Sequence, residues 1–490
     1  MLSGFLKYAN ETPASPAIYI EGKIYSYAEC YKMAAGVAKK IKTASGNYIG
    51  LYTDNTIYTY TSLLGILLSG KAFVPLNHKF PDPRLLAIIR DAGIQTVLGS
   101  EESKIRIDAI NAGMNFIFPE KESPAESFPF EKPSGDTDAY ILYTSGSTGV
   151  PKGIPITIAS FEALMTALRK RFTLQQKDKV LQAFELSFDV SLACIFLTFE
   201  YGSALVVADL NGITAVNAFK AIYENQVSFV TLPPSALFYL KRLRLVGSVP
   251  LPFVHTTLFT GEALPFSVVE EWRKCAPSTV VENAYGPTET TVWCLFYRLD
   301  ETTKDQLVNG LCPIGEGLDG IGVEIVDESG KKVADEVRGE LWVSGEQIFR
   351  GYRNNPAKTK EVLAVNEKNE RVYKTGDIVV KNSRGNIVYV NRKDNQVQVN
   401  GYRVELGEVE HALRKASGIE SAVIIASEKN QVTELYGFLE GNFNKEEIFS
   451  LMRAQLPGYM VPRELFGVKA LPLNTNGKID KLRLREEFLK

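Results

Sequence analysis

Residues 143–153 read YTSGSTGVPKG, which places three glycines, two threonines, two serines and one lysine in eleven positions. No helix or buried strand has that composition. The preceding DAYILY (138–143) is strand-like, so the run leaves a sheet as a loop. Its glycines permit unusual dihedrals that let backbone N–H groups converge, while the hydroxyls and Lys152 add donors. A loop of this kind is an anion cradle suited to phosphate. A polar linker would share the composition but needs neither the lysine nor the upstream strand. The run is not a Walker A loop, because Lys152 follows proline and precedes glycine instead of sitting between Gly and Ser or Thr. A formal GxGxxG at Gly315, Gly317 and Gly320 is followed by GVEIVDE, a strand pattern where a dinucleotide fold requires a helix, and reads as a turn.

Outward from the loop, helical and strand patterns alternate. KMAAGVAKKI carries Met33, Val37 and Ile41 at helical spacing, then YIGLY, the helical TSLLGILLSG and AFVPL follow; LLAIIRDAG with QTVLGS, and VNAFKAIYENQ with VSFVTL, continue the series. This predicts an α/β fold with parallel-rich sheets covered by helices. Past Gly310, the segments GVEIVDESGKKV, GELWVSG and GNIVYVN predict a small antiparallel barrel or sheet. After NRKDNQVQVNGYR, helix and strand patterns (ELGEVEHALRKA, SAVIIAS, ELYGFLE, KEEIFSLMRAQL, LFGVKAL) predict a compact α+β unit. The expected division is 1–392 as a large N-terminal domain and 393–490 as a small mobile C-terminal domain, with the hinge in the polar run near Asp394.

Composition removes several function classes. The chain has 490 residues, 45% hydrophobic and 23% charged, enough to bury large cores. Lys plus Arg total 55 against 57 Asp plus Glu, so no global field draws nucleic acid or anionic lipid. The five cysteines (Cys30, Cys194, Cys275, Cys294, Cys312) never form CxxC, which argues against a zinc site or a disulfide framework. Three histidines (His78, His255, His411) lack a partner nucleophile in a recognisable motif. The most apolar stretch, Leu63–Leu68, is too short to span a bilayer, and the opening MLSGFLKYANETPASP lacks a secretory pattern. A cytoplasmic protein without membrane or nucleic-acid partners is expected.

The glycine-rich loop resembles the signature of the adenylate-forming superfamily, which includes acyl-CoA synthetases, luciferases and the adenylation domains of nonribosomal peptide synthetases. Six further segments resemble family motifs in the family's order: SFDVS (187–191), NAYGPTETT (283–291), GELWVSG (339–345), YKTGD (373–377), NGYRVELGEVE (400–410) and NGKID (476–480). Seven ordered matches across nearly the whole chain carry far more weight than a lone motif. The resemblance implies a ligase that uses ATP and Mg²⁺ and works as a monomer.

What it implies for single residues follows the chemistry. A carboxylate must attack the α-phosphate of ATP, and cations placed where charge accumulates offset the mutual repulsion. Thr144, Ser145, Gly146, Ser147, Thr148, Gly149 and Lys152 fall where the family handles the β- and γ-phosphates. Glu289 matches its Mg²⁺-associated carboxylate, a hard oxygen ligand. Tyr285, with Gly286 and Thr288 beside it, matches the adenine-stacking position, Asp377 the acceptor of both ribose hydroxyls, and Arg392 an arginine near ribose and phosphates. Lys478 matches the lysine that bridges substrate carboxylate and ATP. Catalytic roles thus fall to Lys478, Lys152 and Glu289. For the second half-reaction the resemblance implies that the small domain turns about Asp394, withdraws Lys478 and presents NGYRVELGE, so that a thiol can attack.

Asp189 in SFDVS matches the aspartate that pairs with a substrate α-ammonium, although a helix-capping aspartate at this place is the alternative. The family pattern puts Val190, Ala193, Ser235, Leu258, Thr260, Ala284, Val292 and Trp293 around the substrate side chain. None is charged, which disfavours acidic and basic substrates. Ala193 and Ser235 leave space that Trp293 can refill, so a large apolar residue and a small one such as alanine both stay open. Twelve residues follow Lys478, too few for a carrier domain, so the expected acceptor is the phosphopantetheine thiol of a separate carrier protein. D-alanine–carrier protein ligases share this layout. The alternatives are an acyl-CoA synthetase acting on an amine-free acid and a nucleotide-binding regulatory protein; the retained Lys478, Glu289 and Asp377 count against the latter.

Overall fold

The computed structural model describes residues 1–146, 151–366, 369–394, 396–429, 432–472 and 479–489. Local signals set its elements. Helix Tyr27–Lys42 begins in a capping box, where Ser26 Oγ accepts from the Glu29 amide and the Glu29 carboxylate returns to Ser26, and it ends in Lys39, Lys40 and Lys42. Helix Asp82–Ala92 has a proline in its first turn and stops at Gly93 with φ of 66°.

Two large sheets form the body. One has six strands in the order Asn115–Ile117, Thr96–Leu98, Tyr48–Thr53, Ala72–Asn77, Asp138–Thr144, Lys152–Thr157; all pair in parallel except the last, which runs antiparallel to Asp138–Thr144. The other has nine strands, with a parallel run from Pro16–Ile20 through Ala204–Val207, Lys179–Gln182, Phe229–Leu232 and Thr256–Thr260 to Val280–Tyr285. The alternation read from the sequence is thus a doubly covered parallel architecture. Strands such as Ala72–Asn77 are buried along their whole length, as parallel strands flanked on both faces must be. The largest core joins side chains from both sheets (Leu51 and Phe73 with Val180 and Leu258), and helices Ile57–Leu68 and Asp189–Glu200, apolar on nearly every side, are buried in it.

The antiparallel unit expected after Gly310 is a five-stranded sheet in which the long strand Arg371–Lys381 pairs with Arg338–Gly345, Leu363–Val365 and Ile387–Arg392. The GxGxxG read as a turn is a turn only at 319–320: Gly315 bridges to Ile387 and Glu316–Gly317 pair with Leu295–Phe296 at the edge of the nine-stranded sheet, because the antiparallel Leu295–Arg298 strand offers them a ladder. Beyond Arg392 come a hairpin, Gln396–Val399 with Tyr402–Glu405, a three-stranded sheet and helices Leu406–Ser417, Lys445–Arg453 and Lys481–Phe488. Among the described residues, no hydrophobic cluster mixes side chains from before residue 390 with those after residue 396. Chain segments on either side of Arg392 therefore have their own cores. No helix among the described residues is long and apolar enough to cross a membrane.

Candidate active site

The functional side chains gather just past the carboxyl ends of parallel strands, where open α/β sheets leave a crevice. Ser145 and Gly146 follow strand Asp138–Thr144, Asp189 follows Lys179–Gln182, Ser235 follows Phe229–Leu232, and Thr260 and Tyr285 end their strands. Ser147, Thr148, Gly149 and Lys478 lie outside the described residues.

From the opposite side the hairpin delivers charge into this crevice. Its two-residue turn is Asn400–Gly401, both with positive φ (51° and 81°), the backbone that an Asn-Gly hairpin favours. Arg403 and Glu405, two residues apart on one strand, share a face. The Arg403 guanidinium meets Glu289 at 2.8 Å, and the Arg403 carbonyl accepts from Ser145 Oγ at 2.8 Å. Glu405 pairs with Lys152 at 3.1 Å, and Glu408 in the following helix accepts from the Gly146 amide at 3.1 Å. Glu408 also pairs with Arg84 at 2.9 Å, both side chains being almost fully buried. Nearby, Glu262 accepts from the amides of Ser235 (2.8 Å) and Gly401 (2.5 Å). Every described donor of the glycine-rich segment that the sequence assigned to phosphate, except Thr144, thus meets an acceptor from beyond residue 400. Thr144 Oγ1 is buried without a partner.

Glu289 is completely buried. Burial alone would raise its carboxyl, but Arg403, the Tyr352 hydroxyl (donating at 2.6 Å) and Lys152 outweigh it and hold the group at about 2. Burial also lowers the Lys152 ammonium, and neighbouring Arg403 lowers it further. A stable anion beside lysine and arginine is a charge arrangement suited to polyphosphate and a hard cation.

Tyr285, Asp377, Arg392 and Asp394 form one network. The Tyr285 hydroxyl donates to Asp377 Oδ2, and Arg392 Nη1 reaches Asp377 Oδ1 at 3.0 Å and the Thr375 carbonyl at 2.7 Å. Arg392 also binds both Asp394 oxygens, at 3.0 and 2.7 Å. The expected nucleoside residues are therefore brought together, and Asp394, the expected hinge residue, is tied to them.

Asp189 opens helix Asp189–Glu200, whose cap position is Phe188; the aspartate itself sits in the first turn. Its carboxyl is pushed up to about 6 by burial, which hydrogen bonding from Thr288 and the Val190 and Val292 amides only partly offsets. One oxygen, Oδ2, has no partner. A buried carboxylate with an open acceptor and no cation is a receptor for one. Of the residues expected around the substrate side chain, Val190 is half-buried, Ala193, Ser235, Leu258, Thr260, Ala284, Val292 and Trp293 are buried, and Ser235 lines the cavity described below. Gly286, predicted beside the nucleoside, allows a close approach: a Cβ there would fall 2.2 Å from the Val292 carbonyl oxygen.

Between the two sides of the crevice lies a cavity of about 330 Å³, lined among others by Phe184, Phe188, Pro233, Tyr239, Gly401 and Tyr402. Tyr402 meets Phe188 edge-on and stacks on Tyr459. Sequence reasoning assigned no individual role to Arg84, Glu262, Gln347, Tyr352 or Arg403. For Arg403 the signal existed, since NGYRVELGEVE was marked as a motif; for Arg84 and Tyr352 the partners lie 324 and 63 residues away, and no local pattern announces them.

Comparison with known proteins bears on the family and the fold. Residues 5–353 match the family described as AMP-binding enzyme. The chain is 30% identical over 493 residues to bacitracin synthase 2 of Bacillus licheniformis, covering 98% of this chain and 18% of that one. It is also 30% identical over 489 residues to zwittermicin A synthase ZmaJ of Bacillus cereus, covering 96% and 91%. A solved structure of holo-PA1221, described as a nonribosomal peptide synthetase protein containing adenylation and PCP domains bound to a vinylsulfonamide inhibitor, superposes with a TM-score of 0.84 at 25% identity, covering 99% of this chain and 84% of that one. The chain spans about a fifth or less of the length of several of these relatives.

Proposed function

The chain belongs to the AMP-binding enzyme family, and on that premise we propose that it joins an amino acid to AMP and hands the aminoacyl group to the phosphopantetheine thiol of a separate carrier protein. In the first step a carboxylate oxygen attacks the α-phosphorus of ATP and the bond to the β-phosphate breaks, releasing pyrophosphate. In the second the thiol sulfur attacks the acyl carbon, its proton is lost, and AMP leaves with the bonding pair.

One observation carries the amino-acid assignment. Asp189 is a buried carboxylate with an unpartnered oxygen, and among the described residues no cation neutralises it. A substrate ammonium does so at once, whereas an amine-free acid would bring a second anion to an uncompensated one. An acyl-CoA synthetase acting on such acids gains nothing from Asp189.

The other residues divide the remaining work. Lys152 and the Gly146 amide offer donors to the phosphates, and Asp377 with Arg392 offers a carboxylate and a guanidinium to the ribose side. The Glu289 carboxylate, anionic throughout the working pH range, fits Mg²⁺ as a hard oxygen donor, and it would hold the ion together with phosphate oxygens and water. When bound, the ion would offset phosphate charge during transfer. Lys478 is assigned to the first step from the sequence motif. Two lobes, 1–392 and 393–490, move about Asp394; in the orientation described, NGYRVELGE faces the site, the arrangement assigned to thiol attack, and the cavity beside Tyr402 offers a route for a pantetheine arm. The five free, buried cysteines suit a reducing cytoplasm, and the reading needs only one copy of the chain.

ATP–pyrophosphate exchange with amino acids beside fatty and aryl acids tests the reading. Exchange with amino acids, weakened ~100-fold in Asp189→Asn, is expected. Exchange confined to amine-free acids would overturn it.

A further inference from the structure

One side of the cavity of about 330 Å³ is the Asn400–Gly401 turn, and that turn is held against the opposite wall. Glu262, just past strand Thr256–Thr260, accepts from the Gly401 amide at 2.5 Å through one oxygen and from the Ser235 amide at 2.8 Å through the other. Gly401 permits the approach, since a Cβ there would stand 3.4 Å from Pro233 Cβ. The turn and the start of helix Pro234–Arg242 therefore enclose one space. Its lining includes Ile213, 55% exposed, and Phe188, the residue before Asp189, so the space joins solvent to the neighbourhood of Asp189.

Most of the lining is apolar or aromatic. Glu185, the charged lining residue among those described, is answered by Lys79 at 2.7 Å, and the Ser235 amide is taken by Glu262. Asn400 is different. Its side chain lines the cavity, and its Oδ1 is buried without a partner. Native interiors leave few such groups, because an unpaired buried acceptor is costly. The turn, with φ of 51° at this position, asks for Asn, Asp or Gly, and of these only Asn brings a neutral group with both a donor and an acceptor. With Oδ1 unheld, a half-turn about the last side-chain bond presents either oxygen or NH₂ to the cavity.

We infer that Asn400 recognises the arm of the thiol acceptor by hydrogen-bonding one of its amide groups inside this cavity. The inference rests on the thiol-acceptor reading above. A pantetheine arm is a thin, uncharged chain with secondary amides along it, and it matches an apolar passage whose wall carries an unpaired amide. A phosphate or carboxylate does not match, because the Lys79 ammonium beside the cavity is already engaged by Glu185.

The test follows thioester formation from preformed aminoacyl-AMP, above the uncatalysed rate, in the unaltered enzyme and in Asn400→Gly. Glycine adopts the left-handed turn without strain, so the variant keeps the fold. The thiols are pantetheine, coenzyme A, N-acetylcysteamine, which retains only the amide nearest the sulfur, and butanethiol, which has none. The unaltered enzyme should prefer pantetheine to butanethiol in kcat/KM, and Asn400→Gly should cut that preference by ~10-fold, the effect of one hydrogen bond to a buried acceptor. A matching loss with N-acetylcysteamine would place the contact on the amide nearest the sulfur, and a loss with pantetheine alone would place it on the farther one; either supports the inference. An unchanged preference, or an equal fall for every thiol, would overturn it and leave the thiol-acceptor reading standing. A higher kcat/KM for coenzyme A than for pantetheine that survives Asn400→Gly would put recognition on the nucleotide and overturn it as well. No thioester from any thiol, while pyrophosphate exchange proceeds, would overturn the thiol-acceptor reading and this inference with it.

Discussion

Arg84→Met separates the two half-reactions. Arg84 and Glu408 are 4% and 3% exposed and lie 2.9 Å apart, so removing the guanidinium strands a buried carboxylate. Breaking such a pair from one side costs about 3–5 kcal/mol. Glu408 keeps one partner, the Gly146 amide, but burial already raises its carboxyl, and without Arg84 it rises further. The molecule can relieve the strain by protonating Glu408 or by separating the two sides of the crevice. If separation relieves about 3 kcal/mol, the docked population falls by a factor of roughly 150, since each 1.4 kcal/mol is tenfold. Pyrophosphate exchange reads the first step, and transfer from preformed aminoacyl-AMP to a pantetheine thiol reads the second. Exchange should stay within about twofold while transfer falls by at least ~10-fold. Adding Glu408→Met should restore part of the transfer, because an apolar pair fills the same space without an unpaired charge. A parallel fall of both steps, or an unchanged transfer rate, would refute the role given to this contact.

Four further outcomes are expected. Asp189→Asn should weaken amino-acid use by ~100-fold, about 3 kcal/mol for a charge-assisted contact, and abolish a rise in KM that the unaltered enzyme shows below pH 6, where the free carboxyl takes a proton and loses its pull on the ammonium. The same variant should melt higher at pH 7.5: a carboxyl lifted from 3.8 to about 6 by folding carries no penalty below 3.8, and its cost grows as pH rises to 6, reaching about 3 kcal/mol above it. Glu289→Gln should lower exchange by ~100-fold or more with no change in pH profile between 5 and 9, because the native carboxylate is already ionised well below that window. Gly286→Ala should lose several kcal/mol in denaturant unfolding or fail to fold, since its methyl would meet the Val292 carbonyl oxygen at 2.2 Å and the Trp293 Cα at 2.7 Å.

Much of the architecture was legible because the parallel body is built from local signals: Ser26 and Glu29 cap one helix, Gly93 stops another, and fully buried strands read as short apolar runs. The site was legible where chemistry is compressed into one segment, as in YTSGSTGVPKG or NAYGPTETT. Lys152 was expected within a loop; it is the first residue of strand Lys152–Thr157, whose Pro155 and flanking glycines mask the strand pattern. Glu405 and Glu408 read as the polar start of a helix, and only the fold turns them towards Lys152 and Gly146. Trp293 was equally ambiguous in sequence. Its indole donates to Thr260, 33 residues earlier, and its carbonyl accepts from Gln347, 54 residues later, and no periodicity encodes those distances.

The hairpin beyond residue 400 presents the glycine-rich segment with a mirror of what that segment was read to hold: carboxylates in the seats for phosphate oxygens, and a guanidinium against the acid meant for a metal. Gly146 and Lys152 cannot serve two tenants at once. On the proposed function, a triphosphate or its leaving group in these seats would bar the lobe from closing in this manner, and the turnstile would advance only once that anion had gone.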